Sequence, residues 1–154
     1  MSSRTTKDRI IEDIDRHFIS ATAPETDEIV DDIPSDMERQ EIKAAFSSRA
    51  RNEVSFAMVL KHAESLFLFT PKAWVYYAPV YMKTMLARFR DAEIVVDIFV
   101  STLAQYGASY QKLLTPEQRR TIVDVLRWLL RRLDREYWKR PEIHRIIERF
   151  ERDI

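Results

Sequence analysis

A single glycine, Gly107, in a chain of 154 residues is the feature that most constrains the fold. Tight hairpin turns, strand-to-helix elbows and phosphate-binding loops need residues that tolerate positive φ or close backbone approach, which usually means glycine. The composition therefore argues against β-sandwiches, Rossmann folds, P-loops and Gly-x-Ser-x-Gly hydrolases. Because 45% of the residues are hydrophobic, one core can be filled. We predict an all-α fold in a single domain over residues 1–154.

Cysteine is also absent, so the chain has no disulfide, thiolate zinc site or cysteine nucleophile. Residues 1–16 are charged and lack the apolar stretch of a secretory signal. No run approaches the ~20 apolar residues that span a bilayer. These observations predict a soluble, cytoplasmic protein with no membrane partner.

Apolar spacing and capping residues predict a bundle of six or seven helices. Thr70-Pro71 starts a central helix, which Pro79 should kink because proline cannot donate to the carbonyl of Val75. Thr115-Pro116-Glu117-Gln118 combines a cap, an N1 proline and a capping box, and its helix should run to about Lys139. Three helices are predicted before the central one: from a Thr6 cap to Ile19, from a Ser35/Glu38 capping box through Phe46, and over 53–63 with Phe56 inward. Another should run from an Asp91 cap to Tyr106, with Gly107 as its terminator, and Pro141 should begin or kink a last helix. The β-branched run 94–100 could also form a strand, but its length favours a buried helix.

Acidic side chains concentrate between residues 25 and 41, which contain eight carboxylates and a single basic residue, Arg39. Residues 20–34, with two prolines and few apolar anchors, predict an acidic surface loop. The loop could be merely solvated, could bind a hard cation, or could dock a basic protein. Its spacing is not that of an EF-hand, so no metal is predicted. The candidate partner-binding carboxylates are Asp27, Glu28, Asp31 and Asp32.

Basic side chains recur along the helix that starts at residue 116. Arg120, Arg127 and Arg131 could track nucleic-acid phosphates, which is the alternative function. Acidic neighbours three and four residues away, including Asp124, should pair with them and partly neutralise this face. Nucleic acid is therefore the less favoured partner.

No catalytic site is predicted. His17, His62 and His144 lie on three different helices, and no His-x-x-x-His pair occurs. Every carboxylate near an apolar run also has a lysine or arginine beside it. We expect no cofactor and lean against an enzyme.

Aromatic residues are densest in the central helix. Trp74 and Tyr81 share one helical face and should be core, whereas Tyr76 should point away from it. Tyr76 should be exposed or contact another helix. Core packing is the favoured interpretation of the cluster, and the alternative is that Tyr76 and Tyr77 anchor a partner, since partly exposed aromatics often anchor protein interfaces.

Residues 66–82, Leu-Phe-Leu-Phe-Thr-Pro-Lys-Ala-Trp-Val-Tyr-Tyr-Ala-Pro-Val-Tyr-Met, resemble the central motif of an uncharacterised family of small bacterial proteins. Leu-Thr-Pro-Glu-Gln at 114–118 is similar to a second part of that pattern. The chain departs from it at Ala78 and Val80. The resemblance implies a helical bacterial cytosolic protein and carries no catalytic residue.

The leading functional prediction is a non-enzymatic protein-interaction module of the immunity or antitoxin type. Its acidic N-terminal third would bind a basic protein, and self-association is a further option.

Overall fold

The computed structural model describes residues 5–47 and 49–152, which form eight α-helices and confirm the predicted all-α class. The helices are α1 Thr6–His17, α2 Met37–Phe46, α3 Phe56–Lys61, α4 Ser65–Leu68, α5 Pro71–Ala87, α6 Glu93–Gln111, α7 Pro116–Arg132 and α8 Arg140–Arg152. The helix beyond the predicted six or seven is α4, a single turn in the apolar run before α5. Among the described residues β-pairing is limited to one isolated antiparallel bridge, between Val30 and Phe69.

Two apolar helices form the centre of the bundle. α5 packs against α6, α1 and α3, and α6 also packs against α8. Residues 73–79 of α5 are all buried, as expected of a helix surrounded by others. Amphipathic α1 and α8 both pack against α7 and close the outside of the core. No described helix is long and apolar enough to cross a membrane.

Both predicted Thr-Pro helix starts are confirmed. The Thr70 hydroxyl accepts from the N–H of Ala73 at 3.2 Å, at the start of α5. At the start of α7, the Thr115 hydroxyl accepts from the Gln118 N–H at 3.1 Å. The Gln118 side chain accepts in return from the Thr115 N–H at 2.9 Å, which completes the capping box. Pro79 lies inside α5 as predicted.

Three predicted caps are wrong. Thr5 caps α1 in place of Thr6, because its hydroxyl reaches the Asp8 N–H at 3.1 Å. Asp36 caps α2 in place of Ser35, since its carboxylate accepts from two amide groups of the first turn. α6 begins after Ala92 with no side-chain cap, so Asp91 does not have the predicted role.

Two predicted helix ends are also wrong. Gly107 does not terminate α6 but lies buried inside it, where α8 passes closely. A Cβ there would be 3.2 Å from Arg149 Nη1 and 3.6 Å from the Phe150 ring, so α8 packs directly over this position of α6. α7 stops at Arg132, well before Lys139, because Leu133 turns to an extended conformation.

The segment between α7 and α8 is held by side chains that sequence periodicity does not reveal. The Arg140 guanidinium donates to the carbonyls of Leu130 and Leu133, at 2.9 and 3.1 Å. These bonds satisfy carbonyl groups at the C-terminal end of α7 that lack partners within the helix.

Phe56, predicted to face inward, is instead exposed. The Arg88 guanidinium lies over its ring, 5.3 Å from the ring centroid.

Candidate docking surface

The acidic segment, residues 25–41, is fixed to the start of α5 by backbone contacts. Ile29 and Val30 are buried, and Val30 pairs with Phe69. The Thr70 N–H donates to the Ile29 carbonyl at 3.0 Å, and the Thr70 hydroxyl donates to the Glu28 carbonyl. The predicted surface loop is therefore anchored in its middle, and only part of it is on the surface.

Glu28 contributes to this anchoring. Its carboxylate accepts from the Glu25 N–H at 2.9 Å and pairs with Lys72 Nζ at 3.0 Å. The Glu25 amide, followed by Lys72, lowers the pKa of Glu28. Of the four carboxylates predicted to bind a partner, Glu28 is thus already paired within the fold.

The other three predicted carboxylates lie on the surface. Asp27, Asp31 and Asp32 are exposed and form no ion pair with any residue that the structure describes. Two apolar side chains are exposed beside them, Ile33 at 41% and Met37 at 75%. A turn, in which the Asp36 N–H donates to the Ile33 carbonyl at 2.9 Å, joins Ile33 to the start of α2, where Met37 is the first residue. We call these five residues the acidic surface.

Tyr76 and Tyr77, predicted as partner anchors, lie inside the fold. Tyr76 is only 8% exposed, its hydroxyl accepts from the Arg51 N–H at 3.2 Å, and the Arg51 guanidinium lies 5.0 Å from its ring centroid. Tyr77 donates to the carbonyls of Phe46 and Arg49, and burial raises its pKa to about 12. Of the two alternatives for Tyr76, exposure or contact with another element, the structure shows contact, because the turn around Arg51 covers this face of α5.

Arg120, Arg127 and Arg131 are exposed on α7, as predicted for a basic surface. Two of them have carboxylate partners, although neither partner is Asp124. Arg120 lies 4.0 Å from Glu117, and Arg127 Nη2 binds Glu151 of α8 at 2.6 Å. These ion pairs reduce the charge that a nucleic acid would encounter.

Asp124, on the same helix, is half-buried. Burial is the main cause of its raised pKa, and it outweighs the attraction of Arg9, Arg127 and Arg131. The ionised form is therefore less favourable in the folded chain than in the unfolded chain.

We expect Asp124→Asn to stabilise the protein at pH 7. Because the folded-state pKa is raised, ionisation of Asp124 destabilises the fold above that pKa, and this penalty disappears once the carboxyl is protonated in both states. The melting temperature of the variant should exceed that of the wild type at pH 7, and the two should converge as pH falls below 3.8, the ordinary pKa of this carboxyl. Asp27→Asn, at an exposed site, is the control and should change the melting temperature little. A lower melting temperature for Asp124→Asn at pH 7 would contradict the sign of this effect.

The histidines lie in separate environments. His17 Nδ1 is hydrogen-bonded to the Thr121 hydroxyl at 2.7 Å, and the His62 ring meets Phe46 edge-on at 6.0 Å. His144 is exposed on α8. Among residues 5–47 and 49–152, no group of three or more His, Asp or Glu side chains could hold a metal ion.

A groove that sequence reasoning missed lies where α6 meets the segment after α7. It has a volume of about 720 Å³ and is lined by Phe89, Arg90, Glu93, Val96 and residues 132–137. The Tyr137 hydroxyl donates to Asp97, and buried Lys139 donates to the Ser101 hydroxyl, so two α6 side chains hold this segment. Burial, followed by the hydrogen bond to Asp97, raises the pKa of Tyr137. The groove was missed because α7 was expected to continue to Lys139.

Comparison with known proteins adds no relative: no family model, curated protein or solved structure matches this chain. The resemblance of residues 66–82 to an uncharacterised bacterial family therefore stays a prediction.

Proposed function

We propose that this chain is a protein-interaction module that binds a basic protein through its acidic surface. The observation that carries the proposal is the combination of three carboxylates that have no ion-pair partner among the described residues, Asp27, Asp31 and Asp32, with exposed Ile33 and Met37. Carboxylates steer a basic partner into register, and desolvated apolar side chains contribute affinity once it is bound. Such a surface suits an immunity or antitoxin-like protein that masks a basic effector.

The anchoring of the acidic segment supports this function. Buried Ile29 and Val30, the Phe69 bridge and the Glu28–Lys72 ion pair hold the backbone on which these side chains stand. A segment ordered before binding loses less conformational entropy on association than a disordered one. The acidic surface therefore has the preorganisation that specific binding benefits from.

Nucleic-acid binding through Arg120, Arg127 and Arg131 is the weaker alternative. Arg120 and Arg127 are already near carboxylates, so phosphate contacts would compete with existing ion pairs. Loss of binding with added salt, and on removal of Arg127 and Arg131, would be its signature.

The experiment measures affinity for a partner isolated from the native cell and then purified. We expect Asp27→Lys, Asp31→Lys and Asp32→Lys together to weaken binding roughly tenfold or more at low ionic strength, and less in high salt. Replacing Ile33 and Met37 with serine should weaken binding in both conditions, because apolar contacts are not screened.

The matched control carries the same charge change elsewhere. Glu64, Asp134 and Glu148 are exposed outside the acidic surface, and replacing all three with lysine should leave affinity nearly unchanged. If both triple variants lost the same affinity, net charge alone would explain the effect, and the acidic surface would not be the binding site. Unchanged affinity of the acidic-surface variant at low salt would refute the proposal.

A further inference from the structure

A cationic pocket lies where the end of α5, residues 88–91 and α7 meet. It has a volume of about 390 Å³, and its lining includes Lys7, Arg88, Arg90 and Arg132 with one carboxylate, Asp91. None of the four cations forms an ion pair with a described residue. Cations gathered around one concavity repel each other, and a bound anion would relieve that repulsion.

The wall of this pocket contains a donor without an acceptor. Trp128 is only 2% exposed, and its indole N–H is buried with no hydrogen-bond partner among the described residues. The Arg132 guanidinium lies 3.7 Å from the centroid of the indole, and Phe89 meets it edge-on at 5.7 Å. Buried donors are nearly always paired, and this N–H belongs to a residue that lines the same pocket as the four cations, yet no described residue accepts from it.

The cationic pocket continues into the larger groove described above. The two share Phe89, Arg90 and Arg132, and their volumes fall in the range of small-molecule sites. Beyond the shared residues the groove has an apolar wall, with Val96 and Leu133.

The rest of the groove carries three carboxylates, Glu93, Asp134 and Glu136, and one further cation, Arg135. Together the three carboxylates outweigh Arg135, so they would repel a second phosphate, and they would accept hydrogen bonds from hydroxyl or amino groups. In a nucleic acid, the phosphate next to the one bound in the pocket would lie near these carboxylates and be repelled by them.

We propose that this composite site binds a small phosphate monoester. The phosphate lies among Lys7, Arg88, Arg90 and Arg132, where guanidinium groups bind phosphate oxygens in bidentate geometry. The organic part, bearing hydrogen-bond donors, extends along Phe89 and Leu133 toward the carboxylates. This inference is independent of the acidic surface, which uses other residues.

The test uses the full chain and three probes, adenosine 5′-monophosphate, glucose 6-phosphate and phosphoethanolamine. We expect at least one to bind in calorimetry at least tenfold more tightly than inorganic phosphate, and to shift the indole N–H resonance of Trp128 in heteronuclear NMR spectra. Arg88→Gln with Arg90→Gln should weaken that binding tenfold or more. Arg120→Gln with Arg127→Gln removes the same charge outside the pocket and should leave binding unchanged. Circular dichroism checks that both variants fold.

Three results would overturn the proposal. One is that no probe binds at millimolar concentration or moves the Trp128 resonance. Another is that inorganic phosphate binds as tightly as every monoester, which would show that the groove does not contact the organic part of the ligand. The third is that a twelve-nucleotide single strand binds more tightly than the monoesters, which would assign the cations to nucleic acid.

Discussion

Replacing Trp74 with alanine is expected to lower the free energy of unfolding by about 3–5 kcal/mol. Trp74 is fully buried in α5, and its indole stacks on Tyr110 at 4.1 Å and on Phe99 at 5.7 Å, both from α6. Its indole N–H also donates to the Thr102 hydroxyl at 3.3 Å. Truncation would leave a cavity between the two central helices, where neighbouring rings cannot move in without unpacking other contacts.

Urea unfolding of the variant and the wild type measures this loss, which corresponds to a fall in melting temperature of roughly 10 °C. Trp74→Phe is the control, because it keeps an aromatic ring in the stack and loses the bond to Thr102. Its loss should be clearly smaller than that of the alanine variant. A cost below about 1 kcal/mol for Trp74→Ala would mean that α5 and α6 do not depend on this stack.

Replacing Phe46 with alanine should also lower the free energy of unfolding by about 3–5 kcal/mol. In addition, it should loosen the anchor of the acidic segment. The Phe46 ring is fully buried at the end of α2, edge-on to Phe69 at 5.1 Å and to Tyr77 at 5.0 Å. Phe69 is the residue that bridges Val30, so this ring cluster supports the anchor of the acidic segment.

Hydrogen exchange followed by NMR separates the two effects. The Thr70 amide donates to the Ile29 carbonyl, and its protection reports on the anchor. In Phe46→Ala this amide should lose more protection than amides in the middle of α7, which lie elsewhere in the core. Phe46→Leu, which keeps most of the buried apolar volume, should retain the anchor. A uniform loss of protection across the chain would show that Phe46 stabilises the whole fold without supporting the anchor in particular.

The main helices were predictable because their signals are local. Thr70-Pro71 and Thr115-Pro116 each place a hydroxyl within reach of an amide three residues later, and this geometry depends on only a few residues. Gly107 was misinterpreted because glycine follows many helices, and the sequence does not reveal that α8 crosses α6 there.

The acidic surface was predictable in part. The clustering of Asp27, Asp31 and Asp32 is visible in the sequence, and their exposure follows from the cost of burying unpaired charge. Glu28 has the same chemistry, yet it pairs with Lys72, 44 residues later in the chain. Only the docking of the segment on α5 distinguishes it from its neighbours.

The sequence by itself determined that this chain is helical, where its two Thr-Pro helices begin and where its negative charge collects. Each of these depends on backbone conformation or on charge, and both are specified over short stretches of chain. The tertiary structure alone decided that Tyr76 is covered by Arg51, that the acidic segment is tied to Phe69, and that four cations share one pocket with Trp128. These juxtapositions join residues 25 to more than 100 positions apart, and they depend on how whole helices pack.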